Sequence, residues 1–231
     1  MIVSVHQPQY IPWLGYFRKI AHSDAFVFLD CVQYKSREFQ NRNKIRNPKG
    51  WMWLTVPVVS KGKGRQRIGE CLIDNELPWA RQHWHALQSC YGKAEYFNRY
   101  ASFFEETYAK EWVRLAELNV HITRYLLEQF SICVPLYFES ELDSKSTKTE
   151  RIIDICVKLK ADAYLSGLGG KEYLQEEKFL QAGIRLEYQQ FTHPRYHQQF
   201  MAKVDDFIPY MSALDLLFNE GPGSREILLS C

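Results

Sequence analysis

The chain has 231 residues, 46% of them hydrophobic and 24% charged, a globular balance that excludes a disordered chain and can fill a core without metal or disulfide staples. A net charge of +2 is too near neutral to point to nucleic acid, although cations are dense between Lys35 and Arg67. The six cysteines form no CxxC pair, no apolar run approaches the ~18 residues of a membrane span, and no secretory leader is read before Ile2. Zinc and membrane insertion are therefore not expected, and a reduced, cytoplasmic setting is.

Ile2–Val5 reads as a short buried strand. Residues 11–22 carry Leu14, Phe17, Ile20 and Ala21 at helical spacing, with Pro12 tolerable in a first turn. Ala25–Leu29 is a second buried strand. Strand, helix, strand begins a parallel βαβ unit, and such sheets bind ligands at the carboxyl ends of their strands. His6-Gln7-Pro8-Gln9 and Asp30-Cys31-Val32-Gln33-Tyr34 fall at those ends.

Arg37–Lys49 is polar and charged. Trp51–Val59 predicts a strand at an edge, because Pro57 cannot donate to a ladder. Ser60–Arg67 is a basic, glycine-rich loop without Walker spacing, and Ile68–Ile73 suggests another strand. Residues 78–130 carry the periodicity of three or four helices. A helix from Thr149 to about Leu159 follows, then a strand Ala163–Leu165 ending in Ser166-Gly167-Leu168-Gly169-Gly170. A helix over about 172–182 stops at Gly183, and Ile184–Tyr188 is a last strand. The fold class expected is α/β: an open, mainly parallel Rossmann-like sheet with a helical insertion. Residues 1–77 and 135–231 would be two parts of one α/β domain, with 78–134 inserted between them.

Four stretches carry candidate chemistry. His6 titrates near neutrality when unperturbed and suits acid–base work or phosphate binding. Asn41-Arg42-Asn43-Lys44 could grip phosphate or carboxylate oxygens, and a solvated charged face is the plain alternative. The glycine turn at 166–170, between strand and helix, could offer N–H groups to an anion. His193-Pro194-Arg195-Tyr196-His197-Gln198 follows a strand and is expected at the same rim as His6. No GxSxG elbow exists. His83 and His85 point to different helix faces and read as structural or exposed. Cys31 need not act as a nucleophile.

The ordered blocks "VHQPQYIPWLGYFRKIAHSDAFVFLD", "VQYKSREFQNRNKI", "WLTVPV", "DAYLSGLGGKEYL" and "GIRLEYQQFTHPRYHQQF" resemble the WbqC-like proteins of bacteria, over nearly the whole chain. The resemblance implies a role in O-antigen or other surface-polysaccharide synthesis. It also implies a transferase adding an aminoacyl or acyl group, such as glycyl from a carrier-protein thioester, to the amino group of a nucleotide-linked sugar. Matched motif by motif, it makes His6, His193 and Asp30 the catalytic candidates. Gln7, Gln9, Gln33, Tyr34, Asn41, Arg42, Asn43, Lys44, Ser166, Gly167, Gly169, Gly170, Tyr173, Tyr196 and Gln198 become the substrate-binding candidates. Arg42 and Lys44 would hold a diphosphate, and the N–H groups of Gly169 and Gly170 an oxyanion or phosphate. No metal or firm cofactor is expected; a phosphopantetheine-linked donor, an acyl carrier protein and a nucleotide-activated amino sugar are the partners. One departure stands at Phe39, where a tryptophan is expected. The first βαβ unit is similar to nucleotidyltransferases with an HxGH signature, but the glycine and second histidine are missing. Nucleotidyl transfer and a non-catalytic nucleotide-sugar or carrier binder stay open as alternatives.

Overall fold

The computed structural model describes residues 1–230; Cys231 lies outside them. In chain order the elements are β1 (Ile2–His6), α1 (Leu14–Ala21), β2 (Ala25–Phe28), β3 (Arg42–Asn47), β4 (Gly50–Thr55), α2 (Trp79–Tyr91), α3 (Phe97–Ala109) and α4 (Leu115–Gln129). Then come β5 (Leu136–Phe138), α5 (Lys148–Lys158), β6 (Ala163–Ser166), α6 (Glu176–Gln181), β7 (Arg185–Tyr188), α7 (Ala213–Glu220) and α8 (Ser224–Leu229). Five strands form a parallel sheet in the order β5-β2-β1-β6-β7. The fold is an open, Rossmann-like α/β arrangement. The chain winds from β1 toward β5 on one side, then crosses to β6 on the other. The order therefore reverses between β1 and β6, where open sheets leave a crevice.

The alternation of β1 and β2 sorts the molecule into two cores. Val3, Val5, Ala25, Val27 and Leu29 face α5 and α6, packing on Ile152, Ile155 and Phe179. Phe26 and Phe28 face α1 and join a larger cluster built with α2–α4, α7 and the β3–β4 hairpin. Each fully buried Phe stabilises by roughly 1.5–3 kcal/mol through area removed from water. His6 shares the parity of Ser4 on β1, so its side chain lies on the α1 face, against Tyr16 with ring centroids 5.0 Å apart.

Several elements differ from expectation. The strand expected over Trp51–Val59 is shorter, Gly50–Thr55, and pairs antiparallel with β3 in a separate two-stranded sheet. β3 occupies a segment that carries no apolar alternation. Ile68–Glu70 is a turn of 3-10 helix, and Val58 meets Ile73 in an isolated bridge. The helix expected near 172–182 splits into a 3-10 turn, Leu168–Glu172, and α6. The helix expected to begin at Thr149 begins one residue earlier, at Lys148, with Thr147 at the capping position. Gly183 takes φ +70°, and the Ile184 N–H reaches Phe179 O at 3.0 Å, closing α6 with the left-handed stop that glycine permits.

Candidate functional site

Two hollows open at the β1–β6 reversal and share a wall. The smaller, about 190 Å³, is lined by His6, Gln7, Lys19, Ser166, Gly167, Gly169, Gly170 and Tyr173, among others. The larger, about 270 Å³, runs over the start of α1 between Trp13, Phe191 and Tyr210. His6, Lys19, Gly167 and Gly169 border both.

His6 ends β1, and its backbone carbonyl accepts from Leu29 N at 2.8 Å, which ties the strand end to β2. Its Nδ1 lies 3.2 Å from Gln7 O. A carbonyl only accepts, so Nδ1 carries the proton and Nε2 is left as an acceptor. Burial, and then the neighbouring Lys19 charge, push its pKa down to about 3. His6 is thus a neutral imidazole at physiological pH. Lys19 is 3% exposed, and its Nζ donates to Val5 O at 2.9 Å. Burial alone pushes its pKa down to about 7.

The glycine turn follows β6 directly. A Cβ on Gly167 or Gly169 would meet nothing within 4 Å, whereas one on Gly170 would stand 2.1 Å from Ser166 Oγ. Gly170 is therefore required by close packing, and Gly167 and Gly169 leave the hollows open. The Gly170 N–H donates to Gly167 O at 2.9 Å. That leaves Gly169 as the glycine of the expected pair with an N–H to offer a ligand.

In the larger hollow, Trp13 folds back across Gly15, where a Cβ would lie 2.2 Å from the indole. Phe191 meets that indole edge-on at 5.1 Å, and Tyr210 lies at 5.8 Å. Gln189 Nε2 donates to Gly15 O at 2.9 Å, fastening the end of β7 to α1.

The structure thus gathers His6, Gln7, Ser166, Gly167, Gly169, Gly170 and Tyr173 from the sequence-derived set. The others lie elsewhere. His193 sits behind the aromatic wall, 5.1 Å from Tyr210 and 5.8 Å from Phe191, with Nδ1 2.8 Å from Pro194 O and Nε2 buried without a partner. Tyr196 Oη and Gln198 Nε2 donate to the buried Asp215 carboxylate, at 2.9 and 2.6 Å. Asp30 accepts from Ser140 N and Oγ, at 3.0 and 2.6 Å, and borders a separate groove of about 730 Å³ beside α4. Asp30, Cys31 and Glu139 bring possible metal-ligand atoms within 4.8 Å of one another. They are already engaged: Glu139 pairs with Arg151 at 2.9 Å, and burial pushes the Cys31 thiol up to about 11, against the thiolate a metal needs.

Gln9 is buried with Oε1 unpartnered. Gln33 bridges Arg67, and the Tyr34 N–H donates to Gln66 O at 2.9 Å. Asn41 Nδ2 donates to Val56 O at 2.9 Å, and Asn43 Nδ2 to Ile11 O at 2.8 Å. Arg42 and Lys44 point outward over Trp53 and Trp51, at 4.1 and 4.5 Å from the ring centroids. Neither hollow includes them.

Lys19, Trp13, Gly15, Gln189, Phe191 and Tyr210 were not legible as site residues. For Lys19 a signal existed. It follows Tyr16 by one turn on a helix whose apolar stripe already holds Phe17 and Ile20, so it had to be buried.

A family model described as the WbqC-like protein family matches residues 7–227. Uncharacterized protein Rv1507c of Mycobacterium tuberculosis is 35% identical over 230 residues, covering 99% of this chain and 98% of that one. No solved structure matches significantly.

Proposed function

This chain belongs to the WbqC-like protein family, and from that premise we propose that it is an N-acyltransferase. It would join an aminoacyl or acyl group, such as glycyl held as a thioester on a phosphopantetheine arm, to the amino group of a nucleotide-linked amino sugar. Its place would be bacterial surface-polysaccharide synthesis in the cytoplasm; among the described residues no helix is long and apolar enough to cross a membrane. The observation that carries the reading is the pair of hollows meeting at His6 and Lys19. A two-substrate transfer needs two adjoining lobes and a proton carrier at their junction.

In this reading the sugar amine occupies the smaller, more polar lobe, near Gln7, Ser166 and the glycine turn. The thioester arm lies along Trp13, Phe191 and Tyr210. The neutral amine attacks the thioester carbonyl, and the oxyanion meets the N–H of Gly169. Neutral Lys19 takes the proton from the attacking nitrogen. The C–S bond breaks, and Lys19 returns that proton to the departing sulfur, leaving an amide and a free thiol. His6, with an unprotonated Nε2, orients the amine by accepting one of its hydrogens. This moves the base from His6 or His193 to Lys19, because an imidazole with a pKa near 3 is a weak base, and His193 lies behind the aromatic wall. A lysine near 7 matches the operating pH. In this reading Asp30 holds Ser140, Tyr196 holds the Asp215 carboxylate, and Gln198 holds that carboxylate and the Ile208 backbone.

The test is to incubate the protein with a nucleotide-linked 4-amino sugar and a panel of aminoacyl thioesters, and to look for the amide by mass spectrometry. Amide formation is expected. Its absence across the panel, with pyrophosphate released from ATP or CTP instead, would replace acyl transfer by nucleotidyl transfer.

A further inference from the structure

The outward face of the β3–β4 hairpin takes no part in the chemistry above. Register puts Arg42, Lys44, Trp51 and Trp53 on one side of it, opposite buried Ile45 and Leu54. Trp51 is 42% exposed and the adjacent Phe39 38%. Arg42 lies 4.1 Å over Trp53 and Lys44 4.5 Å over Trp51, while the two indoles meet edge-on at 5.6 Å. The cations are thus held in place on their rings before any partner arrives, which lowers the entropy cost of binding.

The surrounding charge is lopsided. Residues 35–67 hold ten Lys or Arg and one acid, Glu38, a local charge of +9; the chain totals +2, so the rest carries −7. The chain just before residue 35 runs beside the end of the 60–67 loop, since the Tyr34 N–H donates to Gln66 O and Gln33 pairs with Arg67 in an isolated bridge. The face also adjoins the larger hollow. Lys44 O accepts from Ser212 N at 2.9 Å, Ser212 bridges Trp13, and Tyr210 on the hollow's rim stands two residues before it.

We infer that this face docks an acidic acyl carrier protein, delivering its thioester arm to the Trp13–Tyr210 hollow; the inference rests on the transferase reading. Complementary charge supplies the attraction, and exposed Trp51 and Phe39 supply the apolar centre that a protein interface needs. A protein is favoured over single-stranded nucleic acid because Arg42 and Lys44 already cover ring faces on which bases would stack.

The experiment has a binding arm and a kinetic arm. Binding of unacylated holo acyl carrier protein of net negative charge is measured by calorimetry, for the wild type, Trp51→Ala and Lys63→Gln/Arg65→Gln. The expected result is at least tenfold weaker binding for each variant, and loss of binding in high salt. In the kinetic arm, kcat/KM for carrier-linked aminoacyl donor is expected to fall about tenfold in the variants. With a free aminoacyl-pantetheine donor, which bypasses docking, it is expected to stay unchanged. No carrier binding by the wild type at low salt overturns the inference, as do equal losses with both donors or an oligonucleotide that outcompetes the carrier. Hairpin-dependent carrier binding without amide from either donor sinks the transferase chemistry and leaves the docking face standing.

Discussion

Lys19 owes its chemistry to burial rather than to a charged partner. The hydrogen bond from its Nζ to Val5 O is satisfied by the charged or the neutral amine, so desolvation decides which form prevails. Lys19→Met is expected to lower kcat about 10²- to 10⁴-fold and to remove the rise in rate with pH centred near 7, read from steady-state pH profiles. The same group has a stability consequence of defined sign. Between about 7 and its unfolded value near 10.5, the unfolded amine holds a proton that the folded one does not. Wild-type stability therefore gains a contribution that grows with pH over that window, and Lys19→Met lacks it. Urea midpoints at pH 7 and 9.5 measure the difference. His6, with its folded pKa near 3, behaves alike in a lower window: its contribution is complete above about 6.5 and is lost as pH falls toward 3. His6 was legible because a histidine directly after a short apolar strand has to emerge at the sheet rim. For Lys19 the helical spacing signals burial, but it does not say that the buried amine faces a cavity.

The loop between β1 and α1 is held in a strained shape by the hairpin. Ile11 is β-branched, fully buried and at φ +37°, a conformation that costs of order 1–3 kcal/mol. Asn43 on β3 donates to its carbonyl at 2.8 Å, and Asn119 on α4 to Pro8 O and Gln40 O, at 3.3 and 2.8 Å. Asn43, a substrate-binding candidate by sequence, and Asn119 thus brace the backbone that runs from His6 to Trp13. Asn43→Ala is expected to cost about 1–3 kcal/mol of stability in urea unfolding, because it leaves a buried carbonyl without its donor. Activity should fall with it, through displacement of His6. The hairpin escaped sequence reading for a physical reason. Its inward face mixes Asn43 with Ile45, so β3 shows no apolar alternation. The turn Asn47-Pro48-Lys49-Gly50, with Pro at the second place and Gly at the fourth, was the signal that could have located it.

The molecule as a whole places its site at a topological event. β1 lies in the middle of the sheet with β2 on one side and β6 on the other, and the crossing between them leaves the crevice that His6 and the glycine turn share. Rigid strands buried on both faces meet exposed loops at that rim. Native-state hydrogen exchange should follow this division, with the amides of β1, β2 and β6 slowest and those of residues 60–66 among the fastest. Slow exchange in 60–66, or fast exchange in β1, would contradict the two-core packing of the sheet.

Local pattern was enough for the parallel α/β class, the first βαβ unit, the stop at Gly183 and the position of His6 and residues 166–170 at strand ends. Each follows from side-chain period or from the conformational freedom of glycine, properties that neighbours in the chain dictate. Convergence was different. Which of His193, Asp30 and Lys19 stands beside His6 depended on how segments up to about two hundred positions apart pack on the two faces of one sheet. Burial then reset their chemistry, holding His6 neutral and bringing Lys19 near 7, because the cost of charging a group belongs to its surroundings and not to its place in the chain.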